Sequence, residues 1–133
     1  MIDHLNAYAL VVRDVRRCAE FYRDKLGFKL QMMSDEDAYL SFGPKGSPTL
    51  AIIGLKGHAA EIAHKSRSFA GEGFSRGYFA VFLEDADAAY EELRAKGVKF
   101  LTPPTTRAGG QRYAFFEDPE GNLWEISHFP KEK

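Results

Sequence analysis

The pattern of apolar and polar positions repeats once along the 133-residue chain. Two strand-like apolar runs, at residues 8–14 and 79–85, are each followed by a helical pattern. In both helices the apolar or small residues recur at i, i+3, i+4 and i+7, so each helix buries one stripe. The two stripes superpose with an offset of 71 positions, which is the separation of Asp14 from Asp85. We therefore predict two copies of one supersecondary unit.

Short polar residues and glycines mark where the two helices begin and end. Asp14 and Asp85 are expected N-caps, because their side chains can accept from free backbone N–H groups. Gly27 and Gly97 are expected to stop the helices. Three strands are predicted after each helix, at 29–34, 38–42 and 49–53, and at 99–101, 112–116 and 123–129. Each copy is thus βαβββ, and the fold class is α+β: two modules form a cupped eight-stranded sheet with the helices packed outside.

The most informative local signal is the segment Asp118-Pro-Glu-Gly-Asn122 between the last two strands. Pro119 presets φ, Gly121 accepts a positive φ, and Asp118 can bond to its own backbone. This turn predicts a hairpin and places Glu125 at the centre of an otherwise apolar strand. A carboxylate there is a ligand, a catalyst or a structural residue in an ion pair with Arg112. The alternative for Arg112 is an ion pair with a nearby surface acid.

Paired βαβββ modules with Phe21-Tyr22, Leu26-Gly27-Phe28 and Asp118-Pro-Glu-Gly-Asn-Leu-Trp-Glu125 resemble the vicinal-oxygen-chelate superfamily. That superfamily contains glyoxalase I, extradiol dioxygenases, fosfomycin-resistance enzymes and bleomycin-resistance proteins. The resemblance covers residues 5–129 and is specific for the fold, since one fold hosts many reactions. It implies a homodimer. In the enzymes it also implies a divalent metal that acts as a Lewis acid on two adjacent substrate oxygens.

The resemblance implies four metal-ligand positions, occupied by His, Gln or Glu in the enzymes, and only one of the four carries such a residue here. The first-strand positions, seven residues before each N-cap aspartate, are Ala7 and Tyr78, and residues 49–53 contain no ligand. Glu125 alone matches, whereas a tight site needs three or more converging ligands. We therefore expect no cofactor and disfavour a divalent metal. The remaining candidates for a metal site elsewhere are His4, His58, His64 and His128.

Strand alternation predicts an apolar, aromatic pocket for a small molecule. On the last strand, Glu125 and Ser127 share a face. On the strand before it, two alternatives stay open: Tyr113 with Phe115, or Arg112 with Ala114 and Phe116. Aromatic side chains suit a planar or cationic ligand. The predicted ligand-binding residues are Tyr39, Tyr78, Phe82, Arg112, Tyr113, Phe115, Glu125 and Ser127, and Glu125 is also the candidate catalytic residue.

Charge, cysteine content and length indicate the class of binding partner, the cellular location and the number of domains. A net charge of -1 disfavours nucleic acid or an anionic membrane as a partner. Cys18 is the only cysteine, which indicates a reducing, cytoplasmic location. The length suits one domain, with modules at 1–55 and 77–133 and a linker at 56–76.

Three functions remain open at this point. The first is a metal-free protein that binds or sequesters an aromatic or cationic ligand. The second is a metal-dependent lyase or dioxygenase with an atypical ligand set. The third is a metal-free isomerase in which Glu125 is the base and Tyr78 the proton donor.

Overall fold

The computed structural model describes residues 1–56, 60, 62 and 77–131. The chain divides into two compact units, Met1–Ser68 and Phe69–Lys133, and each has its own sheet. His58 and His64 lie outside the described residues, as does most of the predicted linker at 56–76.

The first unit is a βαβββ module with a four-stranded sheet in the order β1-β4-β3-β2. β1 is parallel to β4, and the other pairs are antiparallel. The described elements of this unit are β1 (Ala7–Val12), α1 (Val15–Asp24), β2 (Lys29–Met33), β3 (Asp37–Ser41) and β4 (Thr49–Gly54).

Helix α1 begins at its predicted cap and buries its predicted stripe. The Asp14 carboxylate accepts from the Arg17 N–H at 3.0 Å, which confirms it as the N-cap. The helix packs on β2, β3 and β4 through Val15, Cys18, Ala19 and Tyr22. The Tyr22 ring is fully buried, with its centroid 5.5 Å from that of Phe28. Apolar burial of this stripe is what attaches the helix to the sheet.

The second unit repeats this plan with one extra strand. Its sheet has the order β5-β9-β8-β6, with β7 also paired to β8. β5 is parallel to β9, and the Asp85 side chain caps α2 by accepting from the Ala88 N–H at 3.0 Å. Among the described helices, none is long and apolar enough to cross a membrane. The elements are β5 (Phe79–Phe82), α2 (Ala86–Ala95), β6 (Lys99–Phe100), β7 (Thr105–Thr106), β8 (Arg112–Glu117) and β9 (Leu123–His128).

The α+β class, the two βαβββ modules and the two aspartate caps are therefore confirmed. The six later strands lie within one residue of their predicted bounds. β7 was not predicted, and with it the second sheet has five strands instead of the four expected. Two residues that follow Pro103-Pro104 are too few to show the alternation that identifies a strand.

The Asp118 side chain organises the hairpin between β8 and β9. It is 5% exposed, and its Oδ1 accepts from the N–H groups of Glu120 and Asn122, both at 2.9 Å. Its Oδ2 accepts from the Asn122 side-chain amide at 2.8 Å. Gly121 has a φ of +82°, which favours glycine. The turn sets a register in which Phe115 lies opposite Glu125.

Asp118→Ala is expected to lower the free energy of unfolding by about 2–3 kcal/mol, because three partly buried donors lose their acceptor. Asp118→Asn is the matched control, since its carbonyl oxygen can still accept from the turn, and it should lose less than half as much. Urea denaturation measures both. Equal losses in the two variants would contradict this role for the hydrogen bonds.

Candidate functional site

One face of the second sheet brings together most of the predicted pocket residues. The β8–β9 register places Phe115 opposite Glu125 and Tyr113 opposite Ser127. The β5–β9 register places Phe82 opposite Ser127. Side chains of paired residues lie on the same face of a sheet, so these five residues share a face. We call it the Glu125 face.

Aromatic rings cover much of the Glu125 face. Tyr78, which directly precedes β5, lies edge-on to Phe115 with ring centroids 5.2 Å apart. Tyr113 and Phe115 make a second edge-to-face contact at 5.8 Å. Tyr78 and Phe82 keep 55% and 68% of their surface exposed, so their rings remain available for contact with another molecule.

Glu125 is neutralised by an arginine that the sequence analysis did not single out. The Glu125 residue is 3% exposed, and its Oε2 accepts from the Arg107 guanidinium at 3.1 Å. The guanidinium carbon of Arg107 also lies 3.9 Å from the centre of the Tyr113 ring, in a cation–π contact. A buried carboxylate needs such a partner, because an unpaired buried charge is strongly unfavourable.

Arg107 lies in the tight loop that joins β7 to β8, and the conformation of this loop places it beside Glu125. The Arg107 N–H donates to the Gln111 carbonyl at 3.0 Å, and the Gly110 N–H donates to the Arg107 carbonyl at 3.0 Å. Gly109 and Gly110 have φ values of +93° and +90°, so the tight loop depends on glycine. The pair Gly109-Gly110 was the sequence signal that could have predicted a hairpin here.

Ser127 adds an unsatisfied polar atom to the Glu125 face. Its Oγ is buried and has no hydrogen-bond partner among the described residues. Buried hydroxyl groups are normally bonded, so an unpaired one in a sheet is unusual.

Arg112 lies on the opposite face of the sheet. It is paired in register with His128, and its guanidinium donates to the Asp87 carboxylate on α2, with the shortest contact at 2.9 Å. The expected ion pair between Arg112 and Glu125 is therefore wrong, and Arg107 takes that place. The reason is parity: Arg112 is three positions from Phe115, which is the residue opposite Glu125.

Tyr39 belongs to the first unit, on β3. Its hydroxyl donates to the Asp37 carboxylate at 3.2 Å. Burial, and then the nearby Asp37 charge, raise the pKa of Tyr39.

The residues at the superfamily's metal-ligand positions do not form a metal site of the expected kind. Ala7 has no donor atom, β4 offers no ligating side chain, and the Glu125 carboxylate already accepts from Arg107. Tyr78 is a poor neutral ligand. These positions therefore lack the three or more converging donors that a divalent ion requires.

A different group of possible metal ligands lies at the start of α2. Donor atoms of Asp85, Asp87 and His128 lie within 4.8 Å of one another, beside a surface cavity of about 590 Å³. Each side chain already has a protein partner. Asp85 caps the helix, Asp87 binds Arg112, and Nδ1 of His128 accepts from the Ala86 N–H at 2.7 Å. A cation here would compete with the Arg112 guanidinium.

The sequence matches the family model of the glyoxalase/bleomycin resistance protein/dioxygenase superfamily over residues 2–126. The chain belongs to this superfamily, which confirms the resemblance drawn from its motifs. Its fold is similar to that of a glyoxalase/bleomycin resistance protein/dioxygenase from Nocardioides, with a TM-score of 0.77 and 28% identity. That match covers 100% of this chain and 87% of the Nocardioides chain.

Two relatives illustrate the range of similar sequences. The uncharacterized protein YraH of Bacillus subtilis (strain 168) is 32% identical over 118 residues, which cover 88% of this chain and 91% of YraH. A lactoylglutathione lyase of Arabidopsis thaliana is 31% identical over 86% of this chain. The aligned region covers 40% of the length of that lyase.

The Asp87–Arg112 pair should make a small contribution to stability that depends on pH. Hydrogen bonding from Arg112 is the main cause that lowers the pKa of Asp87, against an opposing effect of burial. A lowered carboxyl pKa stabilises the fold above the unfolded value of about 3.9, and the contribution is lost as the pH falls below it. Because the Asp87 side chain is 47% exposed, solvent screens the pair.

Asp87→Asn is therefore expected to cost less than about 1 kcal/mol at neutral pH. Its stability should converge with that of the wild-type protein as the pH falls from the unfolded value of about 3.9 through the lowered pKa of folded Asp87, below which the carboxyl group is protonated in both states. Denaturation at a series of pH values measures this. A difference that stays constant down to the acid limit would contradict an ionic role for Asp87.

Arg107→Met should lower the free energy of unfolding by about 1–3 kcal/mol, because it leaves the buried Glu125 charge unpaired. The double variant Arg107→Met/Glu125→Gln should lose less than the sum of the single changes, with a coupling of about 1 kcal/mol or more. Arg94→Met is the control: Arg94 also lies over a ring, that of Tyr90, at 5.8 Å, but it is fully exposed to solvent and its hydrogen bond is to the Tyr90 hydroxyl instead of a buried carboxylate. Additive losses at Arg107 and Glu125 would contradict the pairing.

Proposed function

We propose that this protein binds a planar aromatic small molecule on the Glu125 face and does so without a resident metal. One observation carries the proposal. Glu125 is the single superfamily ligand position with a carboxylate, and Arg107 already supplies its counter-charge. A cation supplied by the chain itself takes over the electrostatic role that a metal would have at this carboxylate.

The aromatic character of the ligand follows from the rings that cover this face. Tyr78, Phe115 and Tyr113 form a continuous series of edge-to-face contacts. Pockets for small molecules are mostly apolar and aromatic, with a few convergent polar groups. Arg107, whose side chain is 40% exposed, is such a group here.

A cationic ligand has less support than a neutral or anionic aromatic one. A positive charge would reach Glu125 only by displacing Arg107 from a carboxylate that is 3% exposed. The ion pair and the cation–π contact to Tyr113 both oppose that displacement. We therefore favour the aromatic ligand over the cationic one.

The proposal extends to the setting of the protein. We propose a homodimer, as the superfamily resemblance implies, in the cytoplasm, where a single buried cysteine stays reduced. A net charge of -1 supports a small molecule rather than nucleic acid or an anionic membrane as the partner.

A metal-dependent lyase is the competing function, and the Arabidopsis lactoylglutathione lyase at 31% identity is the observation that supports it. It would require an atypical ligand set, for which Asp85, Asp87 and His128 are the candidates among the described residues. A metal-free isomerase with Glu125 as base has less support, because the Glu125 carboxylate already accepts from Arg107.

Elemental analysis of protein purified without chelator or affinity-tag metal should find far less than one equivalent of nickel, zinc, iron or manganese. The same protein should bind 2-naphthamide, a neutral planar probe, with the same affinity before and after treatment with EDTA. Tyr113→Leu should weaken this binding because it removes an aromatic contact. Tyr90→Leu, on α2, is the control and should not.

Near-stoichiometric metal together with catalysis that EDTA abolishes would replace this proposal by the lyase. Binding of 2-naphthamide that is unchanged in Tyr113→Leu would show that the ligand lies away from the Glu125 face. Calorimetric titration of the intact chain measures the affinities.

A further inference from the structure

We infer that Arg107 makes the Glu125 face selective for an aromatic carboxylate. This inference rests on the proposed function, because it assigns the polar end of the same ligand. It makes Arg107 a specificity-determining residue and gives the ligand a negative charge.

Arg107 has unused hydrogen-bonding capacity at a fixed position. A guanidinium group carries five N–H donors in one plane. Among the described residues, the Arg107 side chain makes one hydrogen bond, from a terminal nitrogen to Glu125. Its side chain is 40% exposed, so donors on the remaining edge are accessible to a ligand.

Two contacts hold the guanidinium in place before any ligand arrives. Tyr113 lies against its face at 3.9 Å, and Glu125 holds one of its nitrogens at 3.1 Å. A fixed guanidinium edge matches the two oxygens of a carboxylate, and charge-assisted bonds of this kind are about twice as strong as neutral ones. The ligand carboxylate and the buried Glu125 would lie on different edges of the same cation, which limits their mutual repulsion.

Ser127 adds a buried hydroxyl to the same face. It has no partner among the described residues, and in register it lies opposite Tyr113, the residue on which Arg107 stacks. The accessible group beside these rings is the Arg107 guanidinium, which can only donate. It therefore favours a ligand group that only accepts, and a carboxylate is such a group.

The aromatic rings then determine the rest of the ligand. Phe115 and Tyr78 extend the apolar surface away from Tyr113. A ligand with its carboxylate on Arg107 would place its ring against these side chains. An amide in place of the carboxylate would carry no charge and would present N–H donors to the Arg107 guanidinium, which is itself only a donor. An ammonium group would be repelled by the positive charge of Arg107.

Calorimetric titration with 2-naphthoate, 2-naphthamide and 2-naphthylmethylammonium tests this inference on the intact chain. We expect 2-naphthoate to bind wild-type protein at least about tenfold more tightly than 2-naphthamide, a difference of about 1.4 kcal/mol. Arg107→Gln should remove that preference, because the ligand carboxylate loses the cation that binds it. Arg94→Gln, which removes a ring-stacked arginine from α2, should keep the wild-type preference.

Loss of Arg107 leaves Glu125 unpaired, so the single variant could bind poorly because it unfolds. Arg107→Gln/Glu125→Gln removes both charges and keeps the fold testable. It should bind 2-naphthamide but show no preference for 2-naphthoate. A double variant that keeps the preference would overturn the inference.

The outcomes separate the inference from the proposed function. If wild-type protein binds 2-naphthamide or 2-naphthylmethylammonium at least as tightly as 2-naphthoate, the carboxylate inference fails and the aromatic site stands. If it binds none of the three probes, both fail. The inference holds if three results occur together: 2-naphthoate binds wild-type protein most tightly, both Arg107 variants lose this preference, and Arg94→Gln keeps it.

Discussion

The turn at Asp118 fixes the register of β8 against β9, and both faces of the second sheet follow from that register. With the observed pairing, Glu125 and Ser127 lie on one face, while Trp124 and Ile126 lie on the other. The Trp124 ring stacks on Phe79 at 4.5 Å and is almost fully buried. A slip of one residue would exchange these two sets, because side chains alternate along a strand. The hydrogen bonds of Asp118 thus hold the register on which both the core and the candidate site depend.

The position of Glu125 explains why the site needs a loop. Its register neighbours on the two adjacent strands are Ala80 and Phe115, and neither can balance a charge. The cation therefore comes from outside these register neighbours, and the β7–β8 hairpin supplies it as Arg107. The same ion pair that makes burial of the carboxylate tolerable also holds the guanidinium in a fixed position against the Tyr113 ring.

The repeated pattern of the chain predicted the modules well because each signal was local. The caps at Asp14 and Asp85 and the turn at Asp118 act within four residues of themselves. The partner of Glu125 was not predictable in this way. Arg107 is 18 positions away, and the two meet only because β7, a strand too short to show alternation, pairs with β8. Arg112 lies on β8, the strand next to Glu125, and was therefore the expected partner. Its side chain lies on the face of the sheet opposite the Glu125 face.

The βαβββ plan occurs twice, yet the two copies have diverged in different ways. β4 and β9 occupy equivalent places, each beside the first strand of its unit, but β4 contains only apolar or small residues after Thr49. β9 keeps a buried carboxylate and a buried hydroxyl at Glu125 and Ser127. The two copies therefore agree at their helix caps, Asp14 and Asp85, and differ in these strands. A module whose last strand is uncharged is complete by itself, whereas a module that buries a carboxylate depends on an added loop to supply the cation, here Arg107.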